Sequence, residues 1–291
     1  MTSDPSHGFL PNDNLPPRDR IVAICQEAGP LPGIPLSSRP GGPIVAWVKY
    51  GMELPIDEAL TQDWVAKTLN AMPEATVRIP RVHAYFTAPS YCSNSLYTWT
   101  TGYIVMEYID APDCTFEDCK LVAQAVQTLI SIRGPSSAPG HVGGGHVVHD
   151  FFVLDQVSPI RYKTANDLQS HVNGILRIMQ DPRRVNLVAD ASDGLFLCPC
   201  DIEPHNFKKL PDNTIVALNF HYSCFLPPSF FAIAMMKETR SFAGAVARCV
   251  KYPESDDVNA MVSASYFLVP FQKNDIGASK RLHRHKPFRP L

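Results

Sequence analysis

Asp201-Ile-Glu-Pro-His-Asn206 sets a carboxylate and a carboxamide five positions apart on a short loop that Pro204 stiffens. Turned inward, the two groups can converge on one nucleotide site, where the carboxylate orients or deprotonates a hydroxyl. Phosphoryl transfer asks mainly for positioning and charge neutralisation, so one aimed carboxylate with nearby cations is enough machinery. The other use of these residues is an Asx-rich turn in which both side chains bond only local backbone. After an intervening turn the apolar run Thr214-Ile-Val-Ala-Leu-Asn219-Phe carries a second carboxamide near its end. Far upstream, Lys49 lies inside Ile44-Val-Ala-Trp-Val-Lys-Tyr50, and Glu58 follows in the next segment. A lysine beside a phosphate site needs a fixed carboxylate partner, because its flexible stem otherwise samples many rotamers. Glu58 can supply that partner. Alternatively, Lys49 reaches to solvent and Glu58 merely favours the positive end of a helix.

These groups need elements to hold them. Residues 44–50 are β-branched and aromatic and read as a strand. Residues 56–72 place Ala59, Leu60, Trp64, Val65, Thr68 and Leu69 at helical spacing, with Glu58 in the first turn. Residues 80–86 and 102–109 read as strands around a polar loop, 87–101. Residues 21–25 suit a short helix or strand, and the Gly/Pro-rich 29–43 reads as turns. From 115 to 133 apolar positions return to a helical period, and the remainder reads mainly as helical patches. Composition shifts from β-rich to α-rich near Asp110.

In this order the stretches resemble the aminoglycoside phosphotransferase and choline-kinase-like branch of the protein-kinase fold. Four stretches carry the resemblance: Val45-Ala-Trp-Val-Lys49-Tyr-Gly with Glu58, Tyr103-Ile-Val-Met-Glu-Tyr-Ile109, Cys200-Asp201-Ile-Glu-Pro-His-Asn206, and Ile215-Val-Ala-Leu-Asn219-Phe. It implies an α+β, two-lobed protein-kinase-like fold with a small N-terminal sheet lobe and a larger, mainly helical C-terminal lobe. The expected divisions are a disordered segment 1–18, a sheet lobe 19–110, a helical lobe 111–278 and a basic tail 279–291. The resemblance also implies ATP and magnesium as cofactors and transfer to a small-molecule hydroxyl or amine. Asp201 would be the catalytic base, and Lys49 and Glu58 would serve the phosphates. The Glu107 carbonyl and Ile109 amide would read the adenine edge, with Met106 at the back of the pocket. Asn206 and Asn219 would lie at the metal.

Two departures open a rival reading. The family's bridging metal ligand is an aspartate, where this chain has Asn219, and its loop histidine two residues before the base is here Pro199. Losing a carboxylate weakens magnesium, which prefers charged oxygen ligands. The rival is a pseudokinase-type module that binds a nucleotide or a partner and transfers nothing. The stretch 29–42 also lacks a Gly-x-Gly-x-x-Gly pattern, an absence shared by many antibiotic-kinase-like proteins.

Composition excludes other classes. The 291-residue chain is 45% hydrophobic, enough for a substantial core, and its net charge of −2 draws it globally to neither nucleic acid nor membrane. Eight cysteines without dense regular spacing, after a polar proline-rich start, suggest reduced thiols and a cytoplasmic protein. No segment approaches the roughly 18 uninterrupted apolar residues of a membrane span. Cys198, Cys200 and Cys224 with nearby histidines lack the usual zinc spacing and read as buried thiols. The histidine- and glycine-rich stretch 140–149 lacks the lysine and hydroxyl of a P-loop and reads as a flexible surface loop. No Gly-x-Ser-x-Gly element anchors hydrolase chemistry. The tail 279–291 gathers five Lys/Arg charges and no acid, which suits an acidic partner.

Overall fold

A computed structural model describes residues 8–52, 54–72, 75–91, 98–236 and 240–278; the basic tail and the first seven residues lie outside them. Helix α1 (Arg18–Ala28) precedes strands β1 (Ile34–Ser37) and β2 (Ile44–Met52), then helix α2 (Ile56–Asn70) and strands β3 (Val77–Arg78), β4 (Val82–Tyr91) and β5 (Thr98–Met106). Helices α3 (Cys119–Leu129), α4 (Ala165–Ile178) and α5 (Leu187–Asp190) follow. Then come the short strands β6 (Phe196–Pro199), β7 (Phe207–Lys209), β8 (Ile215–Ala217) and β9 (Ser223–Leu226), and helices α6 (Pro228–Met235), α7 (Phe242–Ala247) and α8 (Val258–Leu268). The fold is α+β.

The first half centres on an antiparallel sheet in the order β1-β2-β5-β4. Both faces are covered, which explains why β2 and β5 read as continuous apolar runs. Ala46, Val48, Tyr103 and Val105 face Ile21 and Cys25 of α1. On the opposite face, Ile104 and Met106 pack with Ala59 of α2 and with Trp47. Successive strand residues alternate faces, and Lys49 pairs in register with Ile104 and Trp47 with Met106. Lys49 therefore shares the α2 side of the sheet with Met106. The alternation brings strand lysine and helix carboxylate together.

The larger core joins α3, α4, α6 and α8 through residues such as Val126, Ile175, Phe230 and Met261. It also takes Val65 and Leu69 from α2 and Val77 from β3, so α2 serves both cores. β3 lies parallel to β8, which pairs antiparallel with β7, and β6 pairs with β9.

Several expectations need correction. The turn-rich 29–43 contains β1, held to β2 from Ile34 to Ser37. The polar loop 87–101 is largely the extended arms of the β4–β5 hairpin, whose polar residues pair across it, as Ser90 and Thr101 do at 2.7 Å. β5 ends at Met106 rather than 109, and α3 ends at Leu129 rather than 133. The C-terminal half holds four short strands besides its helices.

Candidate active site

Glu58 sits in the first turn of α2, where a carboxylate meets the positive end of the helix. Its side chain is fully buried, and Lys49 Nζ donates to Oε1 at 2.6 Å. Burial alone would push this carboxyl up, but the Lys49 charge and the nearby His221 ring outweigh it and hold it at about 2. His221 Nδ1 stands 3.5 Å from Oε2, an electrostatic contact rather than a full hydrogen bond. Among the described residues, these are the two buried side-chain atoms without a hydrogen-bond partner.

The loop after β6 brings its groups to the same place. Asn206 Nδ2 donates to the Asp201 carbonyl at 2.9 Å and to Asp201 Oδ2 at 2.8 Å. The Asn206 carbonyl accepts from Leu218 N–H at 2.8 Å, which ties the loop to the chain leaving β8. Next to Pro199 the loop is braced by Cys200, whose N–H donates to the Tyr222 carbonyl at 3.0 Å and whose thiol reaches it at 3.4 Å.

Asn219 joins the two halves. Its backbone is left-handed (φ 58°), a conformation asparagine adopts at lower cost than most residues. Its Oδ1 accepts from Lys49 Nζ at 2.9 Å, while its Nδ2 donates to Asp201 Oδ2 and Asn206 Oδ1, both at 3.2 Å. A continuous polar chain thus runs from Glu58 through Lys49 and Asn219 to Asp201 and Asn206.

All but one of these side chains border a cavity of about 790 Å³. Lys49, Glu58, Met106, Glu107, Ile109, Asn206 and Asn219 all line it, with Trp47, Gln62 and Tyr108 among the other walls. Asp201 does not; it borders a cavity of about 20 Å³ behind Asn206 and Asn219. Both neighbouring amides engage its Oδ2, leaving Oδ1 without a partner among the described residues. The Glu107 side chain is held by the Arg78 guanidinium and by Arg81 N–H, and its own N–H donates to the Arg81 carbonyl. Among the described residues, the Glu107 carbonyl and the Ile109 amide have no backbone partner, so both can meet a ligand.

Sequence reasoning missed His221 and Gln62. Gln62 Nε2 donates to the Pro80 carbonyl at 2.8 Å and lies 3.5 Å from Met106 Sδ, fixing the cavity's rear wall. Its position one turn after Glu58, on the same helix face, was the available signal. The stretch 140–149 is no loose surface loop: His141 is buried and its Nε2 donates to the Phe220 and His221 carbonyls at 3.3 and 3.0 Å. It buttresses the Asn219 turn from behind. Among the described residues, no group of three or more His, Cys, Asp or Glu is placed to hold a metal ion, and none of their helices is long and apolar enough to cross a membrane.

No family model and no curated protein matches the chain. Solved structures do. A microcompartment-associated aminopropanol kinase is 12% identical, with 82% of this chain and 80% of that one covered and a TM-score of 0.44. A spectinomycin phosphotransferase in complex with ADP and spectinomycin is 11% identical over 82% and 78% of the chains (TM-score 0.37). A choline kinase from Streptococcus pneumoniae is 12% identical over 91% and 96% (TM-score 0.35). All three are small-molecule kinases, the kind the sequence resembles. At TM-scores below 0.5 these likenesses do not bear on what the site does, which rests on its own side chains.

Proposed function

We propose that the cavity binds ATP in the manner of a small-molecule phosphotransferase and that the protein transfers a phosphoryl group to a hydroxyl or amine of a small acceptor. The observation that carries this reading is the Lys49–Glu58 pair at the wall of one nucleotide-sized cleft, joined through Asn219 and Asn206, which also line it, to Asp201 immediately behind that wall. In this reading residues 19–110 and 111–278 are two lobes that meet at the cleft. The adenine lies against Met106 and bonds the Glu107 carbonyl and Ile109 amide. Lys49, fixed by Glu58, meets the phosphates. Asp201 Oδ1 orients the acceptor and takes its proton as the oxygen or nitrogen attacks the terminal phosphorus, whose bond to the bridging oxygen breaks to release ADP. The free thiols found at all seven described cysteines suit a reducing, cytoplasmic setting.

A second reading is favoured by Asn219. A pseudokinase-type module would keep the cleft and bind a nucleotide or a partner without transfer. Incubation with γ-labelled ATP and a pooled panel of hydroxyl and amine acceptors separates the two. Label moving to an acceptor, and lost in Asp201→Asn, is the result expected of the transferase. Nucleotide binding without any transfer, in the native chain and in Asp201→Asn alike, would establish the binding module instead.

A further inference from the structure

We infer that Asn219 takes the place of a divalent cation, so that the cleft holds its charged ligand with no metal between Asp201 and Asn206. The ligand being a nucleotide rests on the proposed function; the replacement of the metal does not.

The donor and acceptor inventory fixes the orientation of the Asn219 amide. An ammonium group only donates, so Lys49 Nζ at 2.9 Å must face the amide oxygen. The amide nitrogen then points the other way, at Asp201 Oδ2 and Asn206 Oδ1. Both are acceptors, so each contact has a matched partner. A carboxylate at this position has no hydrogen to offer. It would face the Asp201 carboxylate across the same gap, where only a cation or a shared proton relieves the repulsion.

Magnesium demands near-octahedral oxygen ligands at about 2.0–2.1 Å. Here Asp201 Oδ2 already accepts two amide N–H groups, from Asn206 and Asn219, and Asn206 Oδ1 accepts a third contact. The hydrogens of these amides present positive charge where the ion would have to sit. The residues present do not fit the metal. The local charge balance agrees: Lys49 pairs with Glu58 and is one amide removed from the Asp201 carboxylate, and a further carboxylate at 219 would add negative charge beside a polyphosphate. The carboxamide removes that repulsion, while the bond the metal would have made across the gap is made by N–H groups.

The test compares the native chain with Asn219→Asp, a substitution the left-handed backbone tolerates. Calorimetric titration of ATP in EDTA and in magnesium buffer should give equal affinity for the native protein. In Asn219→Asp, magnesium should tighten binding by roughly tenfold or more. Native binding that disappears in EDTA would overturn the inference while leaving the nucleotide reading intact. Manganese binding to the ligand-free protein, followed by water-proton relaxation, decides the matter if no nucleotide binds. The expected result is no bound manganese in the native chain and one ion in Asn219→Asp. Manganese held by the native chain and released by Asp201→Asn would overturn the inference whatever the ligand.

Discussion

Glu58 shows how one buried carboxylate links stability to the site. Its carboxyl is held at about 2 in the folded protein, below its usual value of 4.5. A depressed folded value stabilises the protein above the unfolded value, and that contribution is lost as pH falls from about 4.5 towards 2. Glu58→Gln should therefore cost stability at pH 7, by about 1.5–3 kcal/mol, the worth of a hydrogen bond to a charged group. Urea unfolding across this range should show the gap between native and variant narrowing on acidification; a gap independent of pH would count against the Lys49–Glu58 pair. The pair was legible in the sequence because strand alternation and a first-turn acid are local patterns. The Lys49–Asn219 bond was not, since its partners are 170 positions apart and asparagine there breaks the expected pattern. His221 was equally hidden, because its nearness to Glu58 follows from the turn after β8 and not from any spacing.

At the scale of elements, the approach of the β2–α2 connection to the sheet sets where α2 begins. A Cβ on Gly102 of β5 would meet the Leu54 carbonyl oxygen at 2.2 Å, so only glycine lets the connection lie this close. Tyr85 of β4 steadies the same carbonyl by donating to it at 3.0 Å. Gly102→Ala should push the start of α2 outward, destabilise the protein by about 1–3 kcal/mol and loosen Glu58 from Lys49. Thermal melting would read the first effect, and the loss of the acid-dependent gap would read the second. Helix α4 offers a simpler case, with the Thr164 side chain accepting from Asp167 N–H and the Asp167 side chain accepting in return from Thr164 N–H. Thr164→Ala should cost about 1 kcal/mol in chemical denaturation, with the cleft unaffected. Long periodic elements such as α2 and the centre of β2 were legible, because one pattern repeats over many residues. β1 and the hairpin arms of β4 and β5 were not, because their pairing is decided by partners and their Pro, Gly, Ser and Thr residues resemble those of loops, while the two-residue β3 is too short to leave a pattern.

Across the whole molecule, the sheet's two cores and the larger core differ in reach. The sheet's cores draw on residues up to Met106, while the larger core reaches back to Val65 and Leu69 of α2. Helix α2, which carries Glu58, is anchored in the larger core by Val65 and Leu69 and against the sheet by Ala59. Phe230, fully buried in α6, should cost about 3–5 kcal/mol when changed to alanine, read by the shift of the denaturation midpoint. The α+β organisation was legible from the resemblance and from the strand and helix patterns that carry it, whereas the four strands of the second half were too short to leave a period. In the proposed function the cleft beside Lys49 receives a nucleotide. Calorimetric titration of ATP into the native chain and into Lys49→Met tests it most directly. Native binding that weakens by roughly ten- to a hundredfold in Lys49→Met is the expected result, matching the loss of charge-assisted bonds to phosphate. No binding at about 1 mM ATP, or the same affinity in both proteins, would contradict it.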